Sequence, residues 1–412
     1  MFQRNLLEPM LNALADTPVV FLRGARQSGK STLVQTIANG PYRARYVTLD
    51  NAGFLTAAGA DPTGFIAGLE KPVVIDEAQR VPGLFLAIKE DVDRNRRPGQ
   101  YLLTGSADPL ALPTAARELV GRMEVRTLWP LSTGEIAGKA AISVERFFNA
   151  DFPKGLRTDP AFDLATTMVA GGFPEPVQRT TQHRRTAWFE SYITTILDRD
   201  IRHLSQIQDL TAVPRLLQLL AGRTATLHNQ SELSRAGAIP NTTLSRYMAL
   251  LKNTFLIQEL PAWSANLGKR LVKAPKLFLV DTGLACHLLA LDEKRLKAGG
   301  EIVGRIFENF VVLELFKQLS WAAEPIRLYH FRSQAGKEVD VVIEAPDGRI
   351  VGVEIKLSAT PAPQDFSGLK TLKEHLGKKW VRGLLVYTGR EVVPFGESLH
   401  AVPVSTLFAA GA

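Results

Sequence analysis

Pro18-Val19-Val20-Phe21-Leu22-Arg23-Gly24-Ala25-Arg26-Gln27-Ser28-Gly29-Lys30-Ser31-Thr32 is the stretch on which the fold turns. Its apolar start, bounded by Pro18 and Gly24, reads as a short buried strand. Gly24 to Ser31 then matches G-x-x-x-x-G-K-[ST], and a helical pattern opens at Ser31. Strand, glycine-rich turn and helix in that order form a phosphate-binding loop. The glycines let successive N–H groups of Gly24, Ala25, Arg26, Gln27, Ser28, Gly29 and Thr32 turn toward phosphate oxygens, and the helix N-terminus adds partial positive charge. Lys30 is expected on the β- and γ-phosphates and Ser31 on Mg²⁺ or Mn²⁺, with ATP as the nucleotide.

Two further strands support this site. Lys71 to Ala78, KPVVIDEA, ends an apolar run on Asp76 and Glu77. Carboxylates at the C-terminal edge of a parallel strand lie beside the bound phosphates. Asp76 is expected to hold the metal shell and Glu77 to orient or deprotonate the attacking water. Gln100 to Ala107, QYLLTGSA, carries Thr104 and Ser106, either of which would sense the γ-phosphate. An arginine in the following RELVGR (117–122) would neutralise transition-state charge, in cis or from a neighbouring subunit. Arg122 is the candidate, with Arg117 beside it. Strands alternating with helices across residues 1–150 predict an α/β domain with a parallel sheet.

A chain of 412 residues exceeds one ordinary core. Nothing approaches about 18 uninterrupted apolar residues, and the N-terminus mixes charges into an amphipathic run, so a cytoplasmic protein without a membrane partner is expected. A single cysteine, Cys286, excludes an internal disulfide and a cysteine-rich zinc site. The net charge is +8, and residues 180–300 hold 16 Lys+Arg against 9 Asp+Glu, so nearly all the excess lies there. Such concentration favours a polyanion, DNA, as partner.

Within that segment, SELSRAG, the turn IPN and a helix from Thr242 to Lys252 capped by Asn241 read as a helix-turn-helix. FLIQELPAW then pairs with KLFLVD, and SANLGKRLVKAP between them reads as a basic wing. The second helix of such a unit enters a groove while the wing meets phosphate. Thr242, Thr243, Ser245 and Arg246 are the expected base-side residues, with Lys269, Arg270 and Lys273 on the backbone. The same architecture also serves as a lid or a protein-docking module.

The C-terminal segment contains a hairpin signal, the turn Pro346-Asp347-Gly348 between KEVDVVIE (337–344) and RIVGVEIK (349–356). Glu354 and Lys356 are two apart, so they share a strand face. Asp340 and Glu354 on paired strands, with the Ile355 carbonyl, are expected to bind one divalent metal, and Lys356 to position the attacking water. Glu308, on the helical run EIVGRIFENFVVLELFKQL (301–319), would add a carboxylate. This D…E-x-K arrangement resembles the PD-(D/E)XK nuclease fold.

GARQSGKST, VVIDEAQRVP, LLTGSA, ELVGRMEVRTLWPLSTGEI and GGFPEPV, in that order, resemble AAA-type ATPases fused to a C-terminal domain long catalogued as of unknown function. The resemblance implies an ASCE-type P-loop sheet with the Thr104 strand between the P-loop strand and the Asp76–Glu77 strand. The expected organisation is an ATPase domain (1–150), a helical connector (151–205), a winged helix-turn-helix (206–292) and a nuclease-like domain (293–412), and a homo-oligomer is possible for such a chain. The leading expectation is an ATP-hydrolysing, DNA-binding, metal-dependent nuclease. Its rivals are an ATP-switched DNA-binding or regulatory ATPase with an inert nuclease-like domain, and a motor acting on a protein partner.

Overall fold

The computed structural model describes residues 2–106, 118–153, 162–197, 211–266, 268, 270 and 273–408. The chain divides into two compact units. One comprises residues 3–130 with 251–255; the other comprises 131–250 and 256–412. The connector and C-terminal segments expected from sequence fall in the second unit, as does the helix-turn-helix segment apart from residues 251–255.

The first unit is built on five parallel strands, β1 (Val19–Arg23), β2 (Arg45–Thr48), β3 (Val73–Asp76), β4 (Tyr101–Gly105) and β5 (Met123–Thr127). Their order is β2-β3-β4-β1-β5, so β4 separates the P-loop strand from the Asp76 strand, as the family resemblance implied. β1, β3 and β4 are buried on both faces, which is why they read as continuous apolar runs. Phe21, Ile75 and Leu103 pack on one side with Leu84, Phe85 and Ile88 of the Gly83–Arg94 helix. Val20, Leu22, Val74 and Leu102 pack on the other with Met10, Val34 and Ile37. The period of two along each strand sends alternate side chains to these two cores. Register pairs Leu22 with Thr104 and Ile75 with Leu103, so the three strands end at one edge.

The second unit begins with helices, among them Leu164–Ala170, Gln182–Thr195 and Ala212–Gly222. Gly171 ends the first at φ 68°, a left-handed conformation that glycine adopts without penalty. A Cβ there would lie 2.3 Å from Asp281 Oδ1. Asp281 itself accepts from Gly172 N–H at 2.6 Å and caps the Thr282–Leu288 helix through Leu284 N–H at 2.9 Å. This explains the first glycine of GGFPEP, Gly171, as a packing requirement.

The helices Gln230–Gly237 and Asn241–Asn253 follow, the first capped by Asn229. Around them runs a small antiparallel sheet, β6 (Thr226–Leu227), β7 (Ile257–Leu260) and β8 (Lys276–Leu279), in the order β6-β8-β7. The 19-residue helix Glu301–Leu319 then leads to a six-stranded mixed sheet. Its strands are β9 (Arg327–Arg332), β10 (Glu338–Glu344), β11 (Ile350–Lys356), β12 (Trp380–Tyr387), β13 (Val393–Pro394) and β14 (Leu399–Pro403). β10 and β11 form the expected antiparallel hairpin, with Val341 opposite Val353 and Gly348 at φ 85° in the turn. The Ser367–Leu376 helix covers this sheet: a Cβ on Gly352 would meet Leu369 Cδ2 at 2.7 Å. Among the described residues no helix is long and apolar enough to cross a membrane.

Candidate functional site

The nucleotide site is assembled at the C-terminal ends of β1, β3 and β4. Gly24 has no room for a side chain, since a Cβ would stand 2.2 Å from the Leu128 carbonyl oxygen. Gly29 turns at φ 97° into the helix Lys30–Asn39. Lys30 is buried and its Nζ donates to the carbonyls of Gly24, at 3.0 Å, and Ala25, at 2.9 Å. Ser28 is fully buried with its Oγ unpartnered, so the loop holds an unused polar atom where a phosphate oxygen would bind. Arg26 and Ser31 are half-buried, and Gln27 and Thr32 are exposed. Arg4, which no motif marked, donates to Ser28 O at 2.8 Å and Trp129 O at 2.7 Å, clamping the loop from the N-terminus.

Asp76 is 3 % exposed, and its two oxygens are fixed by Tyr46, 2.6 Å away, and by Thr104 Oγ1. Burial, and then the bond to Asp76, push the Tyr46 phenol up to about 12. Glu77 adopts φ 59°, unusual for a residue with a side chain, and donates its N–H to Thr104 Oγ1 at 3.1 Å. Its Oε2 lies 2.5 Å from Gln79 Nε2 and 3.3 Å from Ser106 Oγ. Thr104 and Ser106 therefore face these two acids, and the strained turn aims Glu77 away from its own strand. Tyr46 and Gln79 had no signal in the linear sequence, because their reach to the acids depends on strand order and turn geometry.

Arg122 requires a correction. Its carbonyl pairs with Val19 N–H at the start of β1, more than about 13 Å along the strand from the loop. Its guanidinium binds Asp93 at 2.5 and 3.0 Å. It is therefore not a cis ligand of this nucleotide site. Arg117 lies outside the described residues.

A second constellation forms in the C-terminal sheet. Asp340 and Glu354 come together as the hairpin predicted, and Lys356 Nζ lies 3.0 Å from Glu354 Oε1. Asp340 Oδ2 accepts from Ile355 N–H at 3.0 Å. Glu308, on the preceding helix, joins them through a residue that sequence reasoning missed. Lys276 of β8 donates to Glu308 Oε1 at 2.7 Å and to Asp340 Oδ1 at 3.0 Å. Burial works against the Lys276 ammonium, but Asp340 and Glu308 outweigh it and hold it charged far above the usual range. Burial, and then the Asp340 charge, raise Glu308 to about 8 and push Glu354 well up. The Glu354 Oε2 is buried without a partner. Asp340, Glu354 and Lys356 open onto a pocket of about 340 Å³ bordered by Lys337, Gln364 and Asp365.

This arrangement corrects the expected metal site of Glu308, Asp340, Glu354 and Ile355. Both Asp340 oxygens already accept from protein donors, and an ammonium stands between Asp340 and Glu308. A hard divalent cation needs carboxylate oxygens free to face it, and here Lys276 and Ile355 N–H take both oxygens of Asp340 while Lys276 also takes Glu308 Oε1. Among the described residues no group of three or more His, Cys, Asp and Glu side chains is arranged to hold a metal ion.

In the helix-turn-helix, Thr242, Ser245 and Arg246 are exposed and Thr243 is half-buried. Ser245 Oγ donates to Asn241 O at 2.9 Å and lies 2.6 Å from Gln230 Nε2. Lys273 is exposed, and Lys269 lies outside the described residues. Arg270 is a further correction. It binds Glu344 with both terminal nitrogens, at 2.7 and 2.9 Å, and stacks 4.9 Å from the Tyr329 ring centroid. That pairing fastens the β7–β8 connection to the C-terminal sheet and removes its guanidinium from phosphate contact.

The first unit, with its parallel sheet, P-loop and Asp76–Glu77 pair, is an AAA-type P-loop ATPase domain, and residues 16–137 match the AAA domain family. Residues 161–295 match a domain of unknown function (DUF8612), and residues 303–407 match another (DUF4143). An uncharacterized protein of Mycobacterium tuberculosis is 30% identical over 411 residues, covering 99% of this chain and 85% of that protein, and one of Mycobacterium bovis matches equally. The chain belongs to the family of these mycobacterial proteins. An uncharacterized protein of Haemophilus influenzae is 26% identical over 219 residues, 52% of this chain and 50% of its own length. Among solved structures, a Walker-type ATPase of Pyrococcus abyssi matches at TM-score 0.44 and 16% identity, over 70% of this chain and 96% of its own. AMPPCP-bound DnaA from Aquifex aeolicus matches at TM-score 0.30 and 15% identity, over 60% and 85%. At these scores neither likeness defines the fold.

Proposed function

We propose that this protein is an ATP-hydrolysing switch that binds DNA through its helix-turn-helix, and that its nuclease-like C-terminal domain does not cleave. The observation that carries this choice is Lys276, whose ammonium lies between Glu308 and Asp340 where a nuclease would hold a metal. It favours the inert-domain reading over an active phosphodiesterase.

In the nucleotide site the unpartnered Ser28 Oγ and the side-chain-free turns at Gly24 and Gly29 fit a triphosphate. Lys30 exchanges two loop carbonyls for phosphate oxygens when ATP binds. Ser31 and Asp76 would hold Mg²⁺, which when bound supplies positive charge against the phosphates. Glu77 orients the attacking water and takes its proton, with Gln79 and Ser106 fixing its carboxylate. Thr104 and Tyr46 keep Asp76 in one orientation. If Arg122 acts on phosphate, it does so at a neighbouring copy's site within a homo-oligomer.

The exposed Thr242, Ser245 and Arg246 lie near the start of the second helix, where base contacts are made in a winged helix, and the β7–β8 connection, with Lys273 exposed, supplies the wing. Binding of duplex DNA to the full chain, followed by fluorescence anisotropy at rising salt, tests the proposal. Log affinity should fall linearly with log salt. Arg246→Glu with Lys273→Glu should weaken binding while ATP turnover stays unchanged. DNA affinity equal to wild type in that variant refutes the assignment of this face.

A further inference from the structure

Lys276 is a second-strand hairpin residue, and most lysines in such strands keep their ammonium in water. Here the side chain is 6% exposed and ends 2.7 Å from Glu308 and 3.0 Å from Asp340. Its two carboxylate partners come from a helix and a strand that are 32 and 64 residues away in sequence. Three carboxyl groups (Glu308, Asp340, Glu354) meet the buried Lys276 ammonium and the half-exposed Lys356, and with Glu308 and Glu354 pushed toward their neutral forms the Lys276 charge answers that of Asp340. A divalent ion added to that set would leave surplus positive charge in a place where unpaired charge is expensive. A divalent ion in place of Lys276 would be balanced by Asp340 and by Glu308 or Glu354 once that acid gives up its proton.

We infer that Lys276 is the resident cation of this cluster, an internal replacement for a divalent metal that keeps Mg²⁺ and Mn²⁺ out and ties β8 to the C-terminal sheet. The inference rests on the nuclease-like reading of the domain only for its origin. Its content is a statement about these side chains: remove the ammonium and the acids become a metal site. Asp340, Glu354 and the unpartnered Glu354 Oε2 lie at the pocket that such an ion would enter by.

The test uses full-length protein without nucleotide, titrated with Mn²⁺ alone and followed by calorimetry and by electron paramagnetic resonance of free Mn²⁺. Wild type and Asp340→Asn should give the same titration. Lys276→Gln should gain one Mn²⁺ site, and Lys276→Gln with Asp340→Asn should lose it. Circular dichroism and a cooperative unfolding transition establish that each variant is folded. Lys276→Gln with Glu308→Gln serves as a second variant, relieving the acid repulsion while leaving Asp340 and Glu354 to bind. The inference is overturned if wild type binds Mn²⁺ and Asp340→Asn abolishes it, or if neither folded Lys276 variant gains a site. Offering plasmid DNA to the Mn²⁺-loaded Lys276→Gln variant is a separate arm. Metal gained without cleavage would count against the nuclease-like origin and leave the role of Lys276 standing.

Discussion

Lys276→Met should destabilise the second unit strongly, because it strips the shared cation from two facing acids and leaves their burial intact. At an effective dielectric of about 20, the Lys276 and Asp340 charges 3.0 Å apart attract by about 5–6 kcal/mol, and Glu308, raised to about 8, adds a hydrogen bond at 2.7 Å. Against this stands a desolvation cost of several kcal/mol per buried ion, so the intact cluster contributes little net stability. Breaking such a cluster from one side is another matter, and costs about 3–5 kcal/mol. Tryptophan fluorescence suits the measurement, since Trp188, Trp263, Trp321 and Trp380 lie in the second unit and only Trp129 in the first. With an m-value of about 3 kcal/mol/M, the urea midpoint should fall by about 1–2 M. Lys276→Met combined with Glu308→Gln and Asp340→Asn should recover most of that loss, since it replaces all three charges together. A single-variant shift under about 0.3 M, less than 1 kcal/mol at that m-value, would show that the ammonium is not the cluster's counter-charge.

Other outcomes follow from the same geometry. Lys30→Ala should abolish ATP turnover, whereas Glu77→Gln should keep ATP binding and lower turnover by about 10²–10⁴-fold; a wild-type rate for Glu77→Gln would remove Glu77 as the water-orienting group. Gly171→Ala should lower the second unit's stability by about 1–3 kcal/mol, because φ 68° and a Cβ at 2.3 Å from Asp281 Oδ1 must both be accommodated. An unchanged urea midpoint would mean that this loop is not pinned. Burial, aided by the Lys276 charge, lowers His330 from the usual 6.5 to about 4, and its Nε2 faces Ala274 O at 3.0 Å. The unfolded chain then binds the proton first. The stability held by neutral His330, up to ~3 kcal/mol, is complete above about pH 6.5 and lost as the pH falls toward 4. Comparing urea midpoints of wild type and His330→Gln at pH 7.5 and 5 checks this; a gap that stays constant refutes it.

Features encoded by neighbours in the chain were legible without the structure. The loop from Gly24 to Ser31 needs residues at fixed short spacing, because consecutive N–H groups must surround one phosphate. Asp76 and Glu77 announced themselves by ending an apolar strand. The Asp340–Glu354 pairing follows from a hairpin turn and a period of two. Lys276 carried no such mark: in sequence it is one more basic residue in the region of excess charge. Its partners become neighbours only once β8, the Glu301–Leu319 helix and β10 are packed together. The cis role for Arg122 and the phosphate role for Arg270 fail for the same reason, since a long cationic side chain takes whichever carboxylate the fold brings near, here Asp93 and Glu344. Tyr46 and Arg4 likewise act across strand order and chain ends. Local spacing decides which chemical groups are available, and long-range packing decides which charges they meet; in the C-terminal sheet that second decision set an ammonium where the residue pattern alone called for a metal.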